Sequence, residues 1–132
     1  MAATIPDNFK DLFQKKAFAS LATVMPDGSP QVTPVWFDWD GAHVIINTAR
    51  GRVKDKVLKR KAKVALAIAD PTDTYRYMQI RGTVVEETEA GGYEMICRLN
   101  EKYHGKYEFE KVSGQVRVTY KILPEHVFSN IK

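Results

Sequence analysis

Cysteine is almost missing from this chain. The single one, Cys97, falls in an expected helix, which excludes a disulfide framework and a paired-thiol metal site. No apolar run approaches membrane-spanning length and nothing at the N-terminus reads as a signal peptide, so the expectation is a cytoplasmic protein without a membrane span. Glycine-rich phosphate signatures are absent as well. Arg50-Gly51-Arg52 holds one glycine and makes neither a Rossmann fingerprint nor a P-loop. There is no Gly-x-Ser-x-Gly elbow, and Cys97, on a helix with no obvious basic partner, reads as buried and inert. His43, His104 and His126 lie far apart in sequence with no carboxylate cluster beside them, so no metal site is expected. Glu86, Glu87 and Glu89 read as a solvated strand end, and no acid–base pair emerges. If the chain is an enzyme, a bound organic cofactor carries the hard chemistry.

What is present is an ordinary globular composition over 132 residues, one domain spanning 1–132, with a formal net charge of +4. Much of the excess is concentrated in residues 45–71, IINTARGRVKDKVLKRKAKVALAIADP. This stretch reads as strand, turn, helix and strand, with Val53, Val57 and Leu58 on the apolar side of the helix. Arg50, Arg52, Lys54 and Lys56 sit in the turn and the first helical turn, where backbone N–H groups are free. That placement suits a phosphate. The plain alternative is a solvated basic face, and the charges alone do not separate the two.

The remaining chain alternates mainly as strands. Pro6-Asp7-Asn8-Phe9 opens a short helix, with Phe9, Leu12 and Phe13 at helical spacing and Asp7 or Asn8 as its cap. Strands are expected over 17–25, 30–39, 43–48, 64–69, 77–87 and 115–123, the last ended by Pro124, with the tail 126–132 as an added edge. Small residues at Ala19, Ser20, Ala22 and Thr23 suit either a flat ligand or tight packing. Pro34 places a bulge or an edge within 30–39, making Thr33, Pro34, Val35 and Trp36 a candidate cleft wall. Trp36 and Trp39 read as core or interface residues, and Arg81 as a site residue or an ion pair. Gly82 within a strand implies close approach of another backbone or a bend. Residues 93–103 form an amphipathic helix. Six strands joined mostly by hairpins argue for an antiparallel β-barrel with flanking helices. The basic residues are on a helix without interleaved aromatics, which argues against nucleic acid as partner.

Three motifs in order, SLATVMPDGSPQVTPVWFDWDG, INTARGRVKDKVL and ALAIADPTDTYRYMQIRGTV, resemble the flavin and deazaflavin oxidoreductases of the FMN-binding split-barrel superfamily, related to pyridoxamine 5′-phosphate oxidase. Within it the chain is most similar to the small enzymes that use the deazaflavin coenzyme F420. The resemblance implies a six-stranded split barrel, homodimeric, with cofactor clefts at the subunit interface. It places Arg52 and Lys54 on the cofactor phosphate, with Lys56 and Arg50 as helpers. Asn47, Thr48 and Ala49 fall beside the phosphate and ribityl chain, and Thr33, Pro34, Val35 and Trp36 run along the tricyclic ring. Tyr75, Tyr77 and Arg81 fall in a segment that either subunit contributes to the cleft.

The implied reaction is hydride transfer from reduced deazaflavin to an electron-poor conjugated small molecule such as an enone or quinone. The proton comes from solvent or from Tyr75 or Tyr77. Where the family often has Asn-Leu, this chain has Val57-Leu58. FMN is the alternative cofactor. Lys59, Arg60, Lys61 and Lys63 would suit the polyglutamate tail of F420. A non-catalytic carrier of a cofactor or tetrapyrrole is the other alternative.

Overall fold

A computed structural model describes residues 2–130. All its strands belong to one antiparallel sheet. In chain order they are β1 (Ala19–Val24), β2 (Pro30–Val35), β3 (Asp38–Trp39), β4 (Val44–Ala49), β5 (Lys63–Asp70), β6 (Asp73–Thr88) and β7 (Arg117–Ser129). Across the sheet the order is β2-β1-β5-β6-β7-β4-β3, which puts β2 and β3 on opposite edges. Yet only Trp36 and Phe37 separate them in sequence. The Cα atoms of Val35 and Asp38 are therefore at most roughly 11 Å apart. The sheet has to curl until its two edges meet, and that curl makes the barrel.

The alternation of each strand feeds one interior. Leu21, Ile46, Leu66, Ile68, Met78, Ile80, Tyr120 and Ile122 are fully buried there. The opening 3₁₀ helix, Asp7–Phe13, plugs one end with Phe9 and Leu12, while Phe13 stacks on Trp39 with ring centroids 4.3 Å apart. Helix α1 spans Val53–Val57 and helix α2 spans Gly92–His104. Helix α2 lies over β4 and β7, and Ile96, Leu99 and Tyr103 form its buried stripe.

Several expectations need correction. There are seven strands instead of six, because the stretch 30–39 breaks after Val35. Phe37 turns into the core and Trp36 stacks on Tyr103 at 5.0 Å, and this detour carries the chain from one sheet edge to the other. Neither Asp7 nor Asn8 caps the opening helix. Pro6 holds the N-cap position without a side-chain bond, Asp7 pairs with Lys10, and the Asn8 carbonyl accepts from Arg76. The central helix has shrunk to five residues, and Lys61, at φ 76°, turns the chain back into β5.

Strand β7 continues past Pro124 instead of ending there. The proline lacks an N–H, but the ladder slips by one residue at Arg81/Gly82 opposite it, so no donor is missed. The expected tail strand is thus the end of β7, with residues 131 and 132 outside the described residues. At the same slip the position of Gly82 explains itself. A Cβ there would lie 2.1 Å from the Leu123 carbonyl oxygen, so the two backbones touch.

Candidate functional site

The basic residues after β4 divide into two groups that point to different jobs. Strand β4 ends at Ala49, whose partner across the ladder is Arg117 at the start of β7. The chain then turns through Gly51, at φ 90°, and enters α1. This geometry brings Arg52, Lys54 and Arg117 together. Burial pushes the Lys54 ammonium below its ordinary pKa, and the charges of Arg52 and Arg117 push it further. Arg117 is lowered by the same causes, burial first and then Arg52.

Among the described residues none of the three has a carboxylate partner. Arg117 donates to two amide oxygens, the Gln115 side chain at 3.2 Å and Asn47 Oδ1 at 3.4 Å, and its guanidinium lies over the Phe109 ring at 4.8 Å. Lys54 and Arg117 are partly desolvated and lie close to the exposed Arg52, so the like charges repel one another, and an anion in their midst would relieve that cost. Asn47 is fixed beside them, its Nδ2 donating to the Gly92 carbonyl at 2.9 Å and to Thr119 Oγ1 at 3.2 Å. The next residue, Thr48, is fully buried and its hydroxyl has no hydrogen-bond partner. Lys56 is exposed, and its backbone N–H closes the turn onto the Arg52 carbonyl at 3.1 Å.

Arg50 belongs to the second group. Its Nε donates to Glu89 at 2.8 Å, and one terminal nitrogen donates to Asp55 at 2.9 Å and to Glu87. These carboxylates raise its already high pKa, Glu87 first. Asp55 is held below the usual carboxylate range. Burial works against that, and hydrogen bonds from the Tyr120 hydroxyl, the Gly51 N–H and Arg50 outweigh it. Burial, then Asp55, in turn raises the Tyr120 phenol. Glu87 and Glu89 are thus ion-pair partners and not a free solvated end.

The other sequence-predicted residues lie elsewhere on the chain. Thr33, Pro34 and Val35 are on the edge strand β2, and Trp36 packs against the last turn of α2. Asn47 and Arg117 sit by the first turn of that helix, which is about 20 Å long. Tyr75, Tyr77 and Arg81 follow the β5–β6 turn. Tyr75 is exposed, Tyr77 tilts against Phe128 at 6.3 Å, and Arg81 lines an open cleft of ≈ 450 Å³ with Lys63, Glu125 and His126. Within one chain these groups do not share a single cleft.

Sequence reasoning missed Arg117. Its only signal was a cation among the polar positions that alternate along the last strand, and the register that sets it opposite Ala49 joins residues far apart in the chain. Among the described residues, no group of three His, Cys, Asp or Glu side chains is placed to hold a metal ion. Among the same residues no helix is long and apolar enough to cross a membrane.

Comparison with known proteins adds the following. Residues 5–130 match the family model described as pyridoxamine 5′-phosphate oxidase. Among solved structures, one named F420 reductase is 29% identical with a TM-score of 0.83, the match covering 94% of this chain and 98% of that one. HupZ of Group A Streptococcus is 22% identical with a TM-score of 0.66, covering 96% of this chain and 94% of the other. General Stress Protein 26 of Bacillus anthracis is 17% identical with a TM-score of 0.68, covering 93% and 91%. These last two are likenesses of fold. No curated protein matches the chain.

Proposed function

The chain belongs to the pyridoxamine 5′-phosphate oxidase family, and from that premise we propose that it is an F420-dependent reductase acting on an electron-poor conjugated small molecule. The observation that carries this reading is the unpaired cluster of Arg52, Lys54 and Arg117 at the end of β4. The likeness to F420 reductase over nearly the whole chain supports the choice of cofactor.

The residues present fit a phosphate-bearing cofactor. Arg52 and Arg117 each offer a planar fork of donors, and Lys54 adds a point charge between them. Lys56 and the exposed run Lys59, Arg60, Lys61 and Lys63 extend the positive surface toward an anionic tail. Asn47, pinned by Gly92 and Thr119, would fix the wall beside the phosphate, with Thr48 and Ala49 following it to the end of β4. When bound, the deazaflavin supplies a hydride to the acceptor. The protein's share is to hold the phosphate, and so the ring, in a fixed place.

In this reading the working unit is a homodimer. Thr33, Pro34, Val35 and Trp36 of one chain, and Tyr75, Tyr77 and Arg81, complete a cleft whose phosphate end belongs to the other chain. Tyr75 or Tyr77 would deliver the proton if solvent does not. FMN carries the same phosphate and is the second reading.

The test is a titration of cofactor-stripped protein with F420 and with FMN at two salt concentrations. Tight, salt-sensitive binding of F420 with weak FMN binding is expected. The variant Arg52→Ala/Lys54→Ala is expected to lose affinity by on the order of a hundredfold, from two charge-assisted contacts of about 1.5 kcal/mol each. Its urea midpoint should stay near that of the wild type, because neither side chain has a partner to lose. A double variant that binds like the wild type would remove the phosphate assignment.

A further inference from the structure

Arg50 sits in the same turn as Arg52, yet its surroundings are of the opposite sign. We propose that Arg50 is a positioning residue that latches the phosphate turn in place, and that it does not itself grip the phosphate. This rests on the cofactor reading above, but the latch has its own geometry.

Helix α1 has five residues, too few to be stable by itself. Something else must hold the turn that carries Arg52 and Lys54. The guanidinium of Arg50 reaches across to the end of β6, where Glu87 and Glu89 accept from it, and back to Asp55 in α1 at 2.9 Å. Asp55 closes the loop on itself, its second oxygen accepting from the Gly51 N–H at 2.9 Å. Tyr120, in the core, donates to the Asp55 carboxylate and anchors the assembly to β7. The Arg50 backbone N–H adds a bond to the Val116 carbonyl at 2.9 Å, next to Arg117. One side chain thus ties the end of β6 to α1, and the Arg50 backbone ties the turn to Val116, the residue before β7, with Arg52 following in the same turn. A phosphate oxygen approaching Arg50 would meet three carboxylates.

The variant Glu87→Gln/Glu89→Gln separates the two roles, because they predict opposite signs. It removes two negative charges from the neighbourhood of an anion site and frees Arg50. If Arg50 is a phosphate ligand held in reserve, binding tightens. If it is a latch, the turn loosens and binding weakens by about tenfold, the loss of roughly one charge-assisted contact. Two measurements read this out. The first is the affinity of wild type and variant for F420 and FMN, each beside its phosphate-free ribityl counterpart. The latch predicts weaker binding of the phosphate-bearing forms with the phosphate-free forms unchanged. Tighter binding, or equal loss for both forms, overturns it.

The second is amide hydrogen exchange of residues 51–56 without ligand, expected to be faster in the variant. Unchanged exchange overturns the latch even if the protein binds neither cofactor, whereas a wild type that binds neither while exchange is faster removes the cofactor reading and keeps the latch.

Discussion

At the scale of single residues, two side-chain positions make sharp demands. Gly82 is the contact point between β6 and β7, with no space for a methyl group against the Leu123 carbonyl oxygen. Gly82→Ala is expected to force the two longest strands apart and cost about 1–3 kcal/mol, read as a lower urea midpoint with an unchanged slope. Lys102 makes a different demand. Its ammonium donates to the Phe37 carbonyl at 2.7 Å and lies over the Phe37 ring at 4.1 Å, and burial lowers its pKa to about 8 despite the nearby Asp38 carboxylate.

Below that pH both the folded and unfolded chains carry the proton, and the folded state bears the full cost of burying it. Between about 8 and the ordinary 10.5 the folded state gives up the proton first. The unfolded state then binds more protons, and stability rises with pH. The melting temperature of wild type relative to Lys102→Met should therefore climb from pH 7 to pH 10. A flat difference would show that the lysine titrates like an exposed one.

At the scale of elements, local signals were legible in the sequence wherever local chemistry decides the outcome. The alternation of 64–69 and 77–87, the Pro-Asp-Gly turn after β1 and the amphipathic 93–103 stretch all produced the expected elements, because burial on one face fixes both period and register. What was not legible depends on pairing across the chain. The split of 30–39 into β2 and β3 comes from Phe37 seeking the core and Trp36 seeking Tyr103, 67 residues later; no propensity marks it. The shortness of α1 was hidden for a related reason. Lys and Arg favour helix, and the turn into β5 that follows uses a lysine, Lys61, in the left-handed region where a glycine would have given warning.

The candidate site shows the same division. Arg52 and Lys54 stand out in sequence because they are neighbours of the turn. Arg117, and the pairing of Arg50 with Glu87 and Glu89, depend on register between β4, β6 and β7, which the linear order does not display.

At the scale of the whole molecule, the curl of the sheet leaves one outer face uncovered. Helix α2 shields β4 and β7, while β2, β1, β5 and the first part of β6 present Val24, Val32, Ala67 and Gln79 outward, and Phe128 on β7 joins them. Val32 is 66% exposed on the edge strand β2, which also carries the proposed ring wall. In the homodimer reading this face is where the second chain sits, and the cofactor cleft is incomplete without it. A charge at Val32 tests both parts together. In an isolated chain an exposed Val32→Glu change is worth less than about 0.5 kcal/mol, so the fold should survive with unchanged circular dichroism. In a dimer built through this face the glutamate would be desolvated, and sedimentation should show monomers at concentrations where the wild type is dimeric. Affinity for F420 should then fall although Arg52, Lys54 and Arg117 are intact, since the phosphate cluster keeps its ligand only when the partner closes the other end. A monomer that binds as tightly as the dimer would place the whole cleft within one chain, and a variant that stays dimeric would move the interface away from β2.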